Sequence, residues 1–486
     1  MSEVKQTPKV AERIVVIGRL VLQSPAHLGN GDVSFFTDSP IFRDMDGQPV
    51  LSGATLAGAL RAYLSRINSQ LAGELFGYVT GANSADGPSA LETALLVNDA
   101  RAEAPPVEFR DGVAISPQTR TAEQKKKFDL ELLAAEVAFD VHLELALGPE
   151  DRSDPDQLKR GFVTVLKALE DGHIPLGKRK TRGFGECKVL EWRAQIFDLA
   201  QPRQLLDWLK WDGRPDTLAL KGASIEALLN VQALPNTTQP LRLQAEFELD
   251  GSLLIRAQDP DAVVDMMHLR SRRQNSNQPV LSGTSLAGAL RARAQRIANT
   301  LCPDRARAKQ FVDAMFGPRA PEGENLQQGE LRASRVSVRE TVIQNAVGDL
   351  VQSRVKIDRF TGGAFPAALF SQSPLFGKPG ARVRVDISLA QPRPESPGAA
   401  PQPAIKQSEI GLLLLLLKDL WTGDLPLGGE SSVGRGRLKG VQAAISGPHG
   451  VWEIRAEKDA LKFNDPQAKA AMEACVAAFY QEMTAS

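Results

Sequence analysis

The chain has 486 residues, which leaves room for two domains of ordinary size with insertions. An apolar fraction of 42% and a charged fraction of 24% are typical of a soluble globular protein, and a net charge of zero argues against a general polyanion-binding surface. The longest apolar run, residues 410–417, is far too short to cross a bilayer, and the polar N-terminal segment has no signal-peptide pattern. Three widely spaced cysteines indicate a reducing cytosol and argue against a thiolate zinc site.

Two segments far apart in the chain are nearly identical. Residues 49–62 read PVLSGATLAGALRA and residues 279–292 read PVLSGTSLAGALRA, so twelve of the fourteen positions match. Four further landmarks recur in the same order: Leu-Phe-Gly at 75–77 and Met-Phe-Gly at 315–317, residues 97–101 and 338–341, residues 115–121 and 357–363, and Pro-Leu-Gly at 175–177 and 426–428. A period this long predicts an internal duplication with two copies of one domain.

The duplication predicts where the domains begin and end. They are a first domain at residues 10–195, a linker at 196–240, a second domain at 241–446 and a C-terminal strand and helix extension at 447–486. The Pro- and Ala-rich residues 391–409 are predicted to form a flexible insertion in the second domain.

Each copy predicts the same order of elements. A strand opens the copy, a helix N-capped by Ser52 or Ser282 follows it, and further strands lead to a second helix and a last strand. The ranges predicted for the opening strand, second helix and last strand are 13–22, 162–169 and 186–192 in the first copy, and 241–249, 410–420 and 438–444 in the second. This β-α-β-β-α-β order predicts an α+β fold of two tandem ferredoxin-like domains.

A Gly- and Arg-rich loop precedes the last strand of each copy, with the sequences GKRKTRGFGE and GGESSVGRGR. Backbone amides beside basic side chains form anion sites, and glycine allows a ligand to approach the backbone closely. A solvated turn is the alternative, but the same composition in both copies favours phosphate binding. The predicted contacts are Lys178, Arg179, Lys180, Arg182, Gly183, Gly185, Gly434, Arg435, Gly436 and Arg437.

The Ser-Gly helix of each copy begins with small and hydroxyl-bearing residues. The free amides and dipole of a helix N-terminus can hold a phosphate. Capping and core packing explain the leucines but not the arginine shared by both copies, and Gly58 and Gly288 cost helix stability, which predicts close packing or a close ligand. The predicted contacts are Ser52, Gly53, Thr55, Arg61, Ser282, Gly283, Ser285 and Arg291.

The segment that precedes the first Ser-Gly helix carries Asp32 and Asp38 near His27. An Asp before Ser-Pro is ordinarily a turn residue. The five histidines have no HxxxH or HxH spacing, and the chain has no GxSxG motif. These residues alone therefore do not indicate an enzyme.

Taken together, the ordered motifs resemble the RAMP superfamily of CRISPR-associated proteins. They are His-Leu-Gly after the first strand, Asp-Ser-Pro-Ile-Phe-Arg-Asp at 38–44, the Ser-Gly helix, Leu-Phe-Gly and the Gly-rich loop. Within that superfamily the chain is most similar to the backbone subunit that lines the guide RNA in type III effector complexes. The tandem copies resemble the fused double backbone subunit of type III-D-like variants, and the resemblance covers most of the chain outside the linker and the tail.

The resemblance implies an RNA-recognition-like domain with an inserted β-hairpin thumb in each copy. The thumbs would separate guide and target strands, with Arg120 in the first and Arg359 and Phe360 in the second. The Ser-Gly helices and Gly-rich loops would bind guide-RNA phosphates while base pairing supplies the sequence. The implied partners are guide crRNA, target RNA and other CRISPR effector subunits (RAMP backbone, small and large subunits), in the cytoplasm and with no membrane.

The resemblance also implies cleavage of target RNA with a divalent metal, expected to be Mg²⁺, for antiviral defence. The family's loop Asp matches Asp38, the predicted catalytic residue and metal ligand, and Asp32 is a second candidate. In the second copy the same count lands on His268, so the predicted residue is Asp265, or this copy binds RNA without cutting. The alternatives to an RNA-guided endoribonuclease subunit are a crRNA-binding scaffold, a metal-free guide-processing enzyme and a phosphate-ligand enzyme.

Overall fold

The computed structural model describes most of the chain. The described residues are 10–29, 31, 37–79, 90–116, 119, 121–148, 154–236, 240–258, 263–318, 332–392, 404–447, 450–457 and 460–485. Two of the predicted site residues, Asp32 and Arg120, lie outside them.

The first copy and the predicted linker form a mixed α and β structure. Its strands are β1 (Glu12–Leu22), β2 (Val50–Leu51), β3 (Tyr78–Val79), β4 (Ala90–Leu91), β5 (Leu95–Val97), β6 (Ala100–Arg101), β7 (Val107–Ile115), β8 (Ala122–Leu133), β9 (Ala138–Leu147), β10 (Cys187–Asp198) and β11 (Leu220–Gly222). Its helices are α1 (Gly53–Ile67), α2 (Ser69–Phe76), α3 (Pro155–Glu170), α4 (Pro202–Lys210) and α5 (Ile225–Leu229).

The second half repeats this arrangement and adds strands and a helix at its end. Its strands are β12 (Leu241–Asp250), β13 (Ser252–Leu253), β14 (Arg256–Ala257), β15 (Met266–His268), β16 (Arg270–Arg273), β17 (Ser276–Leu281), β18 (Val336–Val338), β19 (Thr341–Val342), β20 (Gln344–Val347), β21 (Gln352–Ile357), β22 (Ala364–Ser373), β23 (Leu375–Leu389), β24 (Arg437–Gly447), β25 (Gly450–Glu457) and β26 (Ala460–Phe463). Its helices are α6 (Gly283–Leu301), α7 (Arg305–Phe316), α8 (Gln407–Trp421) and α9 (Pro466–Thr484).

The main sheet of each half is antiparallel and has its opening strand in the middle. In the first half the order is β11-β10-β1-β9-β5, and in the second half β12 lies between β23 and β24 while β18 pairs with β23. Buried and exposed residues alternate along β12, so one face of the sheet packs against the helices. The opening strand therefore anchors each core, as the sequence pattern predicts.

Strand pairing confirms that the two halves are copies. Leu51 of β2 pairs with Ala100 of β6, and Leu281 of β17 pairs with Thr341 of β19. Leu51 and Leu281 occupy the same position in the repeated segment, so Ala100 corresponds to Thr341. The short motifs at 97–101 and 338–341 are therefore equivalent in structure.

The predicted linker packs on the first domain. β10 continues to Asp198, β11 pairs with β10, and α4 places Trp208 beside Val15 on the outer face of the sheet. α5 adds Ile225 and Leu229 to the first core. The predicted boundary at residue 195 is therefore too early, because the following segment buries apolar side chains against the first sheet.

The C-terminal extension packs on the second domain. β25 pairs with β24, and α9 lies so close to α8 that a side chain at Gly411 would collide with the Cys475 carbonyl. α8 begins at Gln407, and Glu409 is buried. The predicted flexible insertion therefore ends before residue 409, and residues 393–403 lie outside the described part of the chain.

Each copy carries one long hairpin outside its main sheet, β7–β8 in the first and β21–β22 in the second. The first hairpin has a register shift between Val113 and Ile115, and the second has one between Val355 and Ile357. Both differences, 355 − 113 and 357 − 115, equal 242. A residue of the first hairpin therefore corresponds to the residue 242 positions later.

Candidate functional site

Asp38 lies beside the second strand of the first hairpin. Its Oδ2 accepts a hydrogen bond of 2.9 Å from the backbone N–H of Asp129 on β8, and the next residue, Ser39, bridges to Leu130. Thr37 is buried, and its hydroxyl donates to the Asp129 carbonyl at 3.1 Å. The hairpin therefore fixes the position of an otherwise exposed carboxylate.

Asp265 lies beside the second strand of the second hairpin. Its Oδ2 accepts hydrogen bonds from the backbone N–H of Ser371 at 2.7 Å and from the Ser371 hydroxyl at 3.0 Å. The next residue, Met266, pairs in parallel with Gln372 of β22. These hydrogen bonds, the backbone bond first, lower the pKa of Asp265.

Two independent registers make Asp38 and Asp265 equivalent. Asp129 and Ser371 are 242 positions apart, the offset between the hairpins. In addition, Phe42 donates its N–H to the carbonyl of Leu28, and Leu269 donates to that of Ile255, four residues after Asp38 and Asp265 respectively. The structure thus places Asp265 where the first copy has Asp38.

His268 is not the counterpart of Asp38. Phe42 precedes Leu51 by nine positions, whereas Leu269 precedes Leu281 by twelve, so the second copy is three residues longer here. His268 is buried with its ring nitrogens facing the carbonyls of Leu253 and Val280, and burial lowers its pKa to about 4. The count back from the Ser-Gly helix therefore lands on His268 rather than on Asp265, because the second copy has three extra residues between them and the helix.

The surroundings of the two carboxylates differ. In the first copy Asp129 lies beside Asp111 and Lys127, and burial followed by the Asp111 carboxyl raises the pKa of Asp129. The equivalent positions of Asp129 and Asp111 in the second copy are Ser371 and Ser353. The first site therefore has two more carboxyl groups near its Asp than the second site has.

Glu131 holds the segment that carries Asp38. Its Oε2 accepts from the Ile41 N–H at 3.0 Å, and its Oε1 accepts from Arg43 at 2.5 Å. The Glu131 carbonyl lies 2.9 Å from Nδ1 of His27, whose pKa is lowered by burial. Sequence reasoning missed Glu131, although an acidic residue between the leucines of β8 is a usable signal.

In the described part of the chain no group of three or more His, Cys, Asp or Glu side chains could hold a metal ion. Mg²⁺ is commonly bound by one or two carboxylates together with substrate phosphates and water. Asp38 offers one exposed carboxylate fixed by a backbone N–H, which fits such a site. Asp265 offers the same arrangement.

The start of α1 is open to solvent on one side. Ser52 caps the helix by accepting from the Thr55 N–H at 3.2 Å, and Asp99 accepts from the Gly53 N–H at 2.6 Å. A side chain at Gly53 would collide with the Val97 carbonyl, so packing alone requires this glycine. Thr55 and Arg61 are exposed.

The start of α6 is covered by the first Gly-rich loop. Ser282 is buried, Ser285 is partly buried, and a side chain at Gly283 would collide with the Arg182 carbonyl. Farther along the helix, Arg291 forms an ion pair of 2.6 Å with Asp313. The two helix starts are therefore not equally available to a ligand.

The two Gly-rich loops have the same backbone. Each contains a short 3₁₀ turn, Lys180–Arg182 or Ser431–Val433, followed by a left-handed glycine, Gly183 or Gly434. The next glycine, Gly185 or Gly436, also has positive φ, and a side chain there would collide with the Leu176 or Leu427 carbonyl. Turn geometry and backbone packing therefore explain these glycines without a ligand.

The charges of the two loops differ. The first loop exposes Lys178, Lys180 and Arg182, and Arg179 stacks on the Phe128 ring at 4.3 Å with its pKa lowered to about 10 by burial and then by Arg182. The second loop has Glu430, Ser431 and Val433 where the first has Arg179, Lys180 and Arg182. Basic character at this position therefore belongs mainly to the first copy.

Arg435 supports the second loop from inside. It is 3% exposed, forms an ion pair of 2.7 Å with Glu430 and donates to Gln352 at 2.6 Å. Its guanidinium therefore does not face solvent, in contrast to the predicted phosphate contact, whereas Arg437 on β24 is exposed. At the tip of the second hairpin, Arg359 and Phe360 are both exposed, Phe360 almost fully.

The fold and the site define a tandem protein in which each copy presents a hairpin-held Asp and a Gly-rich loop. The family model of the RAMP superfamily matches residues 19–188 and 265–439, one region in each copy. The chain therefore belongs to the RAMP superfamily, which implies a CRISPR-associated RNA-binding role with crRNA and CRISPR-complex partners. No curated protein matches the chain, and no helix in the described residues is long and apolar enough to cross a membrane.

Proposed function

We propose that this chain is the backbone subunit of a type III CRISPR effector, of the fused double kind, which binds guide crRNA and cuts complementary target RNA at two positions. The observation that carries the proposal is the equivalent placement of Asp38 and Asp265, each held by a backbone N–H of its hairpin. A duplicated carboxylate at one position of a duplicated fold supports two cutting sites.

The proposed reaction uses the target RNA's own hydroxyl. The 2′-hydroxyl gives its proton to water as its oxygen attacks the adjacent phosphorus, the P–O5′ bond breaks, and O5′ takes a proton from water. The products carry a 2′,3′-cyclic phosphate and a 5′-hydroxyl. A divalent cation bound with Asp38 or Asp265 would neutralise charge on the phosphate. The hairpin amides of Asp129 and Ser371 fix the two carboxylates on their hairpins, which supports a defined position beside a bound RNA.

The proposal assigns guide binding to the basic surfaces. Lys178, Lys180 and Arg182 of the first loop, with Arg61 of α1, present exposed cations for phosphates. Each domain is proposed to be ferredoxin-like with its long hairpin as the thumb, and the almost fully exposed Phe360 would stack against a base.

A crRNA-binding scaffold that does not cut is the second candidate. It is favoured by the hydrogen bonds that both carboxylates accept from neighbouring strands, because such bonds also give a purely structural reason for an Asp. In that case target cleavage would belong to another subunit.

The test is cleavage of labelled target RNA by the reconstituted guide complex, with Mg²⁺ or EDTA. Asp38→Asn and Asp265→Asn preserve side-chain size, and each is expected to remove a different product band while guide binding stays intact. Loss of one band only would restrict cutting to that copy. Unchanged bands in both variants would leave the chain a scaffold.

A further inference from the structure

The first hairpin docks on the second domain through buried charges. Arg110 of β7 is 6% exposed and forms a two-pronged ion pair with Glu340, whose side chain is fully buried. Glu108, also on β7, accepts from the Ser271 hydroxyl at 3.0 Å and from the Arg272 N–H at 2.8 Å. The contact between the copies therefore depends on specific charged partners.

The first Gly-rich loop adds a second contact between the domains. A side chain at Gly183 would come within 2.5 Å of the Glu340 backbone nitrogen, which shows how closely the loop lies against the second domain. Glu186, just after the loop, forms an ion pair of 2.9 Å with Arg339. The hairpin and the loop of one copy thus dock together on the next copy.

The corresponding elements of the second copy carry different side chains. The hairpin offset of 242 places Leu350 and Gln352 at the positions of Glu108 and Arg110. The loop glycines Gly185 and Gly436 correspond, so Arg437 takes the position of Glu186. Two charges are lost and the third is reversed.

In the second copy, Arg339 and Glu340 receive the first hairpin and loop. The residues at the equivalent positions of the first copy do not compensate for the changed charges. By strand register, Asn98 and Asp99 correspond to Arg339 and Glu340. Asp99 already accepts the Gly53 N–H of its own domain. Pairing one molecule head to tail with a second copy would set Arg437 against Asn98 and Gln352 against Asp99, without any of the ion pairs that join the two domains.

The second hairpin nevertheless exposes apolar side chains where the first is docked. Leu350 is 55% exposed, whereas the side chain of its counterpart Glu108 is 13% exposed. Val351 and Leu369 are also exposed. A leucine at an interface position, left exposed among apolar neighbours, is typical of a surface that a partner covers.

We propose that the second hairpin, together with Leu350 and Val351 just before it, is a docking surface for a different protein, and that this chain does not pair head to tail with itself. The receiving surface of that protein is apolar and uncharged where it meets Leu350, because this hairpin lacks the cation that pairs with Glu340 and the carboxylate that accepts from the Arg272 N–H. The proposal rests on the contact between the copies and is independent of RNA cleavage.

Self-association tests the first part of the proposal. Sedimentation velocity of the full chain without RNA is expected to show a monomer over a wide concentration range, and association of the wild type would overturn the proposal. A variant that combines Leu350→Glu and Arg437→Glu with Asn98→Arg restores the carboxylate of Glu108 and the ion pair of Glu186 with Arg339, and it leaves Gln352 bound to Arg435. It is expected to associate at least about tenfold more tightly than the wild type.

Controls keep this test decisive. Asn98→Arg alone is expected to remain monomeric, and circular dichroism and thermal melting confirm that each variant is folded. A folded combined variant that stays monomeric would overturn the charge argument. None of these measurements depends on cutting, so a failure here is separate from a failure of the proposed function.

Photo-crosslinking tests the docking surface itself. A photoreactive amino acid replaces Leu350 in the purified effector complex, and Leu206 on α4, which is 52% exposed, is the matched control. The expected product joins position 350 to an apolar peptide of a different subunit, identified by mass spectrometry. A crosslink to this same chain, to RNA alone or to nothing would overturn the proposal.

Discussion

The Arg110 guanidinium of the first copy and the Glu340 carboxylate of the second form a buried ion pair, with Arg273 on the same carboxylate at 2.8 Å. Burial alone would lower the pKa of Arg110, but Glu340 and Glu108 raise it, so the charge is retained. The pair thus holds the two RNA-binding copies in one relative position.

Removal of one partner is expected to be costly because it leaves buried cations without a counter-charge. Glu340→Gln should lower the free energy of unfolding by about 3–5 kcal/mol, measured by urea denaturation. Glu457→Gln, from an exposed pair with Lys462 at 3.5 Å, should cost less than about 1 kcal/mol. Equal losses in the two variants would show that Glu340 is not isolated from solvent.

A paired replacement separates the charge from the packing. Arg110→Met with Glu340→Leu removes both charges and keeps the volume, so much of the stability lost in Glu340→Gln should return. If the double variant is no more stable than Glu340→Gln, the cost comes from packing around Glu340 or from Arg273, which still lacks its carboxylate in the double variant.

Stability should depend on pH through His268. The unfolded histidine binds a proton near pH 6.5, whereas the folded one binds it only near pH 4, so the unfolded chain holds more protons between these values. The stability contributed by neutral His268 is therefore present above pH 6.5 and is lost as pH falls toward 4, by up to about 1.4 kcal/mol per pH unit.

The test compares thermal melting of the wild type and His268→Leu across this pH window. The variant should be less stable near neutral pH because the imidazole contacts with Leu253 and Val280 are lost. Its stability should also change less between pH 6.5 and 4. Parallel curves would mean that other groups cause the acid sensitivity.

Much of the fold was predictable from the sequence because its signals are local. The N-cap at Ser52, the opening strands and the order of elements follow from periodicity and turn residues within each copy. The burial of Arg435 was not predictable, because its partner Gln352 is 83 positions away and only the folded hairpin brings them together. Asp265 was predicted as a candidate, but its structural equivalence to Asp38 depends on hydrogen bonds from Ser371, 106 positions away, which only the folded hairpin provides.

The first Gly-rich loop is expected to contribute more to guide-RNA affinity than the second. Replacing Lys178, Lys180 and Arg182 by Ala should weaken binding and reduce the slope of log K against log salt by about two to three units. Arg437→Ala, the control in the second loop, should reduce the slope by about one unit at most. The measurement is a salt titration of binding, and similar slopes in both variants would exclude the difference between the loops.

The final prediction concerns Gly58 of α1 and Gly288 of α6. No described atom outside the local helix backbone lies within 4 Å of a Cβ built at either glycine, so packing within the described chain does not require them. Gly58→Ala should therefore raise the free energy of unfolding by about 0.5–1 kcal/mol.

If RNA approaches this helix face closely, the same substitution should weaken guide binding even though it stabilises the chain. Ala62→Gly, on the exposed side of the same helix one turn later, is the control for a change in helix stability alone. Denaturation and guide-binding titrations of both variants are the measurements. Unchanged guide affinity in Gly58→Ala would exclude a close RNA contact at this position.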